Sequence, residues 1–195
     1  MIRQPISAPV LDTFLEEWKT GQLKTYAVDT GGDAKYHTSI ESLPEYKELT
    51  ALDEFAADQG REKYLNYLYY DDLEKDMWQL LRDECNIKGV WRSRRTCTAL
   101  WYKGPDGFLG WHNNRGTPRD ADACFISYVE TAGDSFFRYV DIDTGELVTD
   151  YDEPGWYVRS WTWDLEDPFW HCVYSNSNRI SIGFQCKFKD GTFNN

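Results

Sequence analysis

The sequence lacks an excess of positive charge. Its 195 residues include 21 Lys and Arg against 33 Asp and Glu, which gives a formal net charge of −12. Nucleic acids and anionic membranes are bound through positive surfaces, so this balance argues against both as partners. One dense basic cluster, Trp91 to Arg95, fits either a solvated strand face or a groove for an anion. The charge therefore favours a small molecule or a peptide as the partner.

Long apolar runs and paired cysteines are also missing. No stretch approaches the roughly 18 apolar residues that a membrane-spanning helix needs, and the first residues show no apolar signal run. The 5 cysteines are an odd number without a Cys-x-x-Cys spacing. These absences predict a cytoplasmic protein whose cysteines stay reduced and pack as small apolar side chains.

Histidine is scarce, with 3 residues in the chain. His37 lies in a polar stretch and is expected at the surface. The other two, His112 and His171, lie near the two ends of the span from Gly110 to Gly183. This placement makes the span the first place to look for a site.

The first half of the chain has helical periodicity after a short loose arm over 1–8. Apolar residues recur at helical spacing from Pro9 to about Gly21, over about 42–59, and over about 61–84. We therefore expect residues 9–86 to form a mainly helical support within a single domain over 1–195.

After Gly89 the periodicity changes to two, the period of a half-buried strand. Strands are predicted near 90–103, 108–113, 123–131, 135–141, 146–151, 156–163, 169–174 and 179–188. The order of helices followed by strands predicts an α+β fold. We expect a double-stranded β-helix, or jelly roll, of about eight antiparallel strands over 90–188, with the N-terminal helices packed on one outer face.

The last predicted strand has two different faces, because side chains two residues apart in a strand point the same way. Its apolar face carries Ile180, Ile182, Phe184, Cys186 and Phe188. If that face packs against the helices, Arg179 and Ser181 point into the sandwich. A buried guanidinium is costly without an anion or a hydrogen-bond partner. Arg179 beside Ser181 therefore indicates a carboxylate site, since arginine binds carboxylates through two parallel hydrogen bonds.

The two histidines add a possible metal site. Two imidazoles from separate strands can hold one divalent ion with positions left open for a substrate. His112 and His171, together with the interior Arg179 and Ser181, make a plausible site for a metal-chelating acid such as 2-oxoglutarate.

These residues resemble the Fe(II)/2-oxoglutarate-dependent oxygenases. The jelly-roll core of that family carries His-x-Asp on an early strand, a distal His some fifty residues later, and then an Arg-x-Ser element. The likeness covers roughly 90–188 and is greatest to the prolyl-hydroxylase-like branch. The Trp-His-x-Asn motif and the Phe136–Tyr139 run are also similar to phage-encoded members, which implies a viral protein.

The resemblance implies a ligand set for each cofactor. Fe(II) would be bound by His112, Asn114 and His171. The far carboxylate of 2-oxoglutarate would be bound by Arg179 and Ser181 with help from Tyr128, which lies on the strand after the first histidine motif. The implied activity is hydroxylation of a peptide side chain or a small molecule.

One position departs from the family pattern. The metal-binding carboxylate of His-x-Asp falls at Asn114, and an amide oxygen is a neutral, weaker ligand. Asn114 could ligate adequately, the two histidines could hold the metal with 2-oxoglutarate, or the site could have lost its iron. Asp120 or Asp122 could supply a carboxylate if the loop folds back.

Two further functions stay open on the sequence. A jelly-roll binding or structural module would keep the fold without the metal, as Asn114 suggests. A cupin-like metal enzyme would use the histidines without 2-oxoglutarate.

Overall fold

The computed structural model describes residues 1–28, 38, 62–63, 65–90, 98–113, 122–133, 135–162 and 169–189, and in these ranges the chain is mostly antiparallel β-sheet with two helices. The helices are α1 (Pro9–Lys19) and α2 (Glu74–Glu84). The strands are β1 (Ile2–Pro5), β2 (Lys24–Val28), β3 (Glu62–Lys63), β4 (Leu65–Tyr69), β5 (Ile87–Val90), β6 (Thr98–Tyr102), β7 (Gly107–His112), β8 (Asp122–Val129), β9 (Phe136–Val140), β10 (Leu147–Tyr151), β11 (Gly155–Thr162), β12 (His171–Ser175) and β13 (Arg179–Phe188). The predicted helix over 42–59 lies outside these ranges.

The strands form two antiparallel sheets. The larger sheet has the order β1-β11-β8-β13-β6-β4-β2, with β5 also paired to β13, and the smaller sheet has the order β10-β9-β12-β7-β3. Strands β6 to β13 overlap the strands predicted after Gly89, so this part of the prediction is confirmed.

Side chains from both sheets meet in one buried cluster, which is rich in aromatic residues. The larger sheet contributes Leu65, Tyr102, Ala123 and Trp161, and the smaller sheet contributes Leu109, Phe137, Tyr139 and Val173. We call the space that they fill the inter-sheet space. The inward-facing side chains of β7, β8, β12 and β13, the strands that bear predicted site residues, point into this space.

The two helices cover the other face of the larger sheet. Leu11 and Phe14 of α1 and Leu81 of α2 are fully buried in one cluster with Ile180 and Ile182 of β13. Burying this apolar face against the helices leaves the alternate side chains of β13 in the inter-sheet space.

The helix predicted over 61–84 is wrong in its first half. Residues Leu65–Tyr69 form β4, and the helix begins only at Glu74. Leu65 belongs to the inter-sheet cluster, whereas Leu68 belongs to the cluster under the helices. A strand that is buried on both faces carries apolar residues at mixed spacings, which here imitate a helical stripe.

The predicted loose arm over 1–8 is also wrong. Ile2–Pro5 form β1, an edge strand that pairs with β11 from Ile2 opposite Ser160 to Pro5 opposite Tyr157. An edge position tolerates a proline, because one side of the strand needs no partner. Four residues are too few for the alternation to show in the sequence.

Four cysteines lie in the described ranges, and all four are free and buried, as expected for small apolar side chains. They are Cys85, Cys124, Cys172 and Cys186. Neither α1 nor α2 is long and apolar enough to cross a lipid bilayer.

Gly183 of β13 keeps the aromatic packing between the sheets intact. A Cβ atom at this position would lie 2.7 Å from Cε1 of Phe125, whose ring stacks on Trp161 at 5.1 Å. We expect Gly183→Ala to displace that ring and to lower the free energy of unfolding by about 1–3 kcal/mol. Gly89→Ala is the matched control, since nothing lies within 4 Å of a Cβ atom there. Chemical denaturation of both variants tests this, and equal stability would contradict it.

Candidate functional site

Arg179 and Ser181 point into the inter-sheet space. Arg179 is 1% exposed, and its Nη2 donates to Ser127 Oγ at 3.4 Å. Ser127 and Ser181 are paired across β8 and β13, and their hydroxyl oxygens lie 3.4 Å apart. Strand alternation therefore puts one buried guanidinium beside two buried hydroxyls.

A carboxylate of the chain itself also contacts Arg179. The Nε of Arg179 donates to Oδ2 of Asp152 at 3.0 Å. The other oxygen of Asp152 accepts from Arg159 Nη2 at 2.7 Å and from the Tyr157 hydroxyl. Asp152 is thus a buried bridge between two arginines, just before the turn into β11, and the sequence analysis missed it.

The network continues from Arg159 towards the surface. Arg159 is fully buried, and its Nε donates to Asp150 Oδ2 at 2.7 Å. Asp150 also accepts from Arg3 of β1 at 3.2 Å. Three arginines against two aspartates leave this chain of ion pairs with one excess positive charge. Such a surplus attracts an anion.

The ion pairs keep Asp152 charged. Burial raises the pKa of Asp152, but the charges of Arg179 and Arg159 and the hydrogen bonds from Tyr157 and Arg159 together outweigh it, so the pKa lies below its usual value. Burial also raises the pKa of Tyr157 to about 12, which keeps its hydroxyl a donor to Asp152.

The guanidinium of Arg179 keeps an edge for a ligand. Asp152 occupies Nε on one side, Ser127 contacts Nη2, and Nη1 is buried with no hydrogen-bond partner among the described residues. A carboxylate binds such an edge through two parallel hydrogen bonds, one to Nη1 and one to Nη2. A buried donor without a partner costs about 1–3 kcal/mol, so a bound carboxylate would remove a penalty. The residues therefore fit the far carboxylate of 2-oxoglutarate.

The two histidines lie beside each other in the smaller sheet. His112 ends β7 and His171 begins β12, and the two residues are directly opposite in the antiparallel ladder. Their ring centroids are 4.1 Å apart. Each Nδ1 contacts a backbone carbonyl, Gly110 O at 2.7 Å and Phe169 O at 3.0 Å.

These carbonyl contacts fix the tautomer of both rings. A carbonyl oxygen only accepts, so each Nδ1 carries a proton, and in the neutral ring the lone pair is then on Nε2. Histidines that bind metals have this outer hydrogen bond as a rule. His112 and His171 therefore fit two positions around a metal ion.

Aromatic rings surround His171. Phe137 stacks on it at 5.2 Å, and Trp161 and Phe169 approach at 5.4 and 5.6 Å. Burial lowers the pKa of His171 to about 4. The ring is therefore neutral at physiological pH, which is the form that binds a metal.

A third His, Cys, Asp or Glu ligand is absent from the described part of the chain. No group of three or more His, Cys, Asp or Glu side chains there could hold a metal. Asp122 is committed elsewhere, since its Oδ2 accepts from the backbone N–H of Phe188 at 3.1 Å. Asn114, Asp120 and His37 lie outside the described ranges, as does the basic cluster 91–95.

The structure does not place Tyr128 beside Arg179. Its ring packs on Trp156 at 5.1 Å and on Trp18 at 6.5 Å, under the helices. Tyr128 is opposite Ile180 in the ladder, so both point away from the inter-sheet space. Ser127, one residue earlier, takes the inward position. A shift of one residue in a strand exchanges its faces, and sequence reasoning did not resolve this register.

No protein-family model matches this sequence, and no curated protein matches it. Among solved structures, the chain is similar to a prolyl hydroxylase from Trichoplax adhaerens in complex with a hypoxia-inducible-factor peptide (TM-score 0.46, 11% identity, 92% of this chain and 89% of that one). It is also similar to an oxidoreductase of the 2OG-Fe(II) oxygenase family from Burkholderia pseudomallei (TM-score 0.46, 12% identity, 98% of this chain and 97% of that one). A third similar structure is that of a Pseudomonas putida prolyl-4-hydroxylase (TM-score 0.44, 14% identity, 96% of this chain and 92% of that one).

Asp152→Asn tests the buried charge network. The variant leaves Arg179 and Arg159 buried without their shared carboxylate, so we expect a loss of about 3–5 kcal/mol in the free energy of unfolding at neutral pH. The pKa of Asp152 is lowered in the folded state, so its contribution is present above the unfolded pKa and is lost as the pH falls through the folded pKa. Asp143→Asn, on an exposed turn, is the control. Urea unfolding curves from neutral to acid pH that coincide for wild type and Asp152→Asn would contradict this role.

His171 should not titrate near neutral pH. Because its pKa is about 4 in the folded state, its imidazole NMR signals should stay constant between about pH 5 and pH 8. The unfolded chain takes up this proton first, so stability should fall as the pH drops from about 6.5 towards 4. His171→Gln assigns the signals. If the His171 signals titrate with a midpoint near pH 6.5, the ring is not enclosed by these aromatic side chains.

Proposed function

We propose that this protein is an Fe(II)/2-oxoglutarate-dependent dioxygenase. The observation that carries the proposal is the buried, unpartnered Nη1 of Arg179, in the same inter-sheet space as two histidines whose Nδ1 atoms each contact a backbone carbonyl. Phe137 links the two parts, since its ring stacks on His171 and lies 5.0 Å from the Arg159 guanidinium. A ligand with a metal-chelating end and a carboxylate end suits this arrangement.

Each residue has a role in the proposal. His112 and His171 would bind the metal, with Asn114 in the third protein position. Arg179 would bind the far carboxylate of 2-oxoglutarate, with Ser181. When bound, these cofactors supply the oxidation of a substrate C–H bond by O2, with conversion of 2-oxoglutarate to succinate and CO2.

Neighbouring residues orient Arg179 and keep His171 neutral. Asp152 holds the Nε side of Arg179, so that the Nη1 and Nη2 edge is presented to the ligand. Ser127 takes the place beside Arg179 that the resemblance gives to Tyr128. The rings of Phe137, Trp161 and Phe169 exclude water around His171 and keep it neutral. In this proposal strands β6 to β13 form the double-stranded β-helix.

A second function is favoured by the Arg179–Asp152 ion pair. Asp152 already compensates the charge of Arg179, so the buried guanidinium does not require a bound anion for the fold to be stable. A binding module that has kept the fold and lost the metal would show this feature. The two functions differ in whether the protein binds 2-oxoglutarate.

Arg179→Met separates the two functions. Anaerobic addition of Fe(II) and 2-oxoglutarate to the wild-type protein should give a visible metal-to-ligand charge-transfer band. Loss of a buried charge partner costs about 2–5 kcal/mol, so Arg179→Met should weaken 2-oxoglutarate binding by at least about 30-fold. Arg138→Met is the matched control, because Arg138 of β9 bonds Thr149 and the backbone of Thr38 instead. A wild-type protein without the band would refute the dioxygenase and leave the module.

Asn114→Asp tests the third metal position. If the side chain at this position ligates the metal, the added negative charge should tighten Fe(II) binding by about 10-fold or more. Asn114→Ala should weaken it. Anaerobic titration with Fe(II) monitors both variants, and identical affinities for Asp, Asn and Ala would remove this residue from the site.

A further inference from the structure

The two histidines lie at one end of the sandwich. His112 is the last residue of β7 and His171 the first of β12. Adjacent antiparallel strands run in opposite directions, so the end of β9 and the turn that follows it also reach this end, as does the end of β11. The side chains at these positions surround whatever approaches the histidines from outside.

A cavity of about 300 Å³ opens at this end, within the range of small-molecule sites. Trp161 and Phe169 line it, and their rings stack at 4.4 Å. The same two rings contact His171 at 5.4 and 5.6 Å. The cavity is therefore separated from His171 by a single layer of aromatic side chains.

Two carboxylates line the cavity at the turn after β9, those of Asp141 and Asp143. The backbone N–H of Thr144 lowers the pKa of Asp141, and the amino group of Met1 contributes to the shift. Two carboxylates against that one amino group leave the lining net negative. The lining therefore attracts a cation, whereas the Arg179 end of the same space attracts an anion.

The remaining lining suits an aliphatic chain with a polar group. Ile2 and Ile142 add apolar surface. Nε1 of Trp161 is buried and has no hydrogen-bond partner among the described residues. Trp161 is 6% exposed and lines the cavity. This donor is independent of the acidic turn, and a buried N–H without a partner favours a ligand that brings an acceptor to it.

We propose that this cavity binds the substrate and that the substrate is a peptide with a lysine-like side chain. The ammonium would meet Asp141 and Asp143, the aliphatic stem would lie on Ile142 and Phe169, and a peptide carbonyl would accept from Trp161 Nε1. As an assignment of the substrate, this inference rests on the proposed dioxygenase function.

Peptide binding tests the proposal without iron, 2-oxoglutarate or turnover. The probes are three blocked tripeptides, Gly-Lys-Gly and its forms with norleucine or glutamate in place of lysine, titrated into the full chain by calorimetry. We expect the lysine peptide to bind at least about 10-fold more tightly than the norleucine peptide, the factor that one ion pair worth about 1.4 kcal/mol provides. The glutamate peptide should bind least.

Two variants locate the effect. Asp141→Asn with Asp143→Asn should abolish the preference for lysine, while asparagine keeps the side-chain oxygen that accepts from Asp143 N and Thr144 N. Glu146→Gln, in the same turn but outside the cavity lining, should keep the preference. Trp161→Phe keeps the ring and should weaken all three peptides alike.

The outcomes separate this inference from the proposed function. Equal affinities for the three peptides, tighter binding of the glutamate peptide, or no binding of the lysine peptide at millimolar concentration would overturn the lysine pocket. A charge-transfer band that persists in those cases would leave the dioxygenase intact. Lysine selectivity without such a band would keep the pocket and overturn the dioxygenase.

Discussion

The bridge that Asp152 makes between Arg179 and Arg159 is the interaction on which the site depends. Two guanidinium groups that are at most 1% exposed share one carboxylate, at 3.0 and 2.7 Å. Without Asp152 the desolvation of both cations would oppose folding by several kcal/mol each, about the size of a whole domain's stability. With it, the sheets can close over the pair, and one edge of Arg179 is still available. The same ion pair thus stabilises the fold and directs the guanidinium.

The sandwich has opposite electrostatic character around Arg179 and around the turn after β9. The buried ion pairs around Arg179 carry one excess positive charge, whereas the turn after β9 adds carboxylates near the histidines. Between them, His171 is held neutral by its aromatic surroundings. A co-substrate anion and a cationic substrate would therefore be drawn to different positions, each by charges that the chain itself supplies. This separation suits an enzyme that must bring two ligands to one centre.

Much of this could be predicted from the sequence. The alternating pattern of β13 predicted that Arg179 and Ser181 point inward, because the other face of this strand is uniformly apolar. The resemblance implied that Tyr128 also points inward, but β8 is apolar on both faces, so its pattern does not fix which face does. The role of Asp152 could not be recognised in the sequence, because an aspartate shortly before Pro154-Gly155 looks like an ordinary turn residue. Its partners become neighbours only when the two sheets close.

A crystal structure of the protein with Mn(II) and 2-oxoglutarate would show directly whether the two histidines and Arg179 bind these ligands. We expect a metal on Nε2 of His112 and His171, and a ligand carboxylate on Nη1 and Nη2 of Arg179, with Asp152 still on Nε. An Arg179 bonded only to Asp152 and Ser127, with no metal between the histidines under saturating ligand, would contradict it.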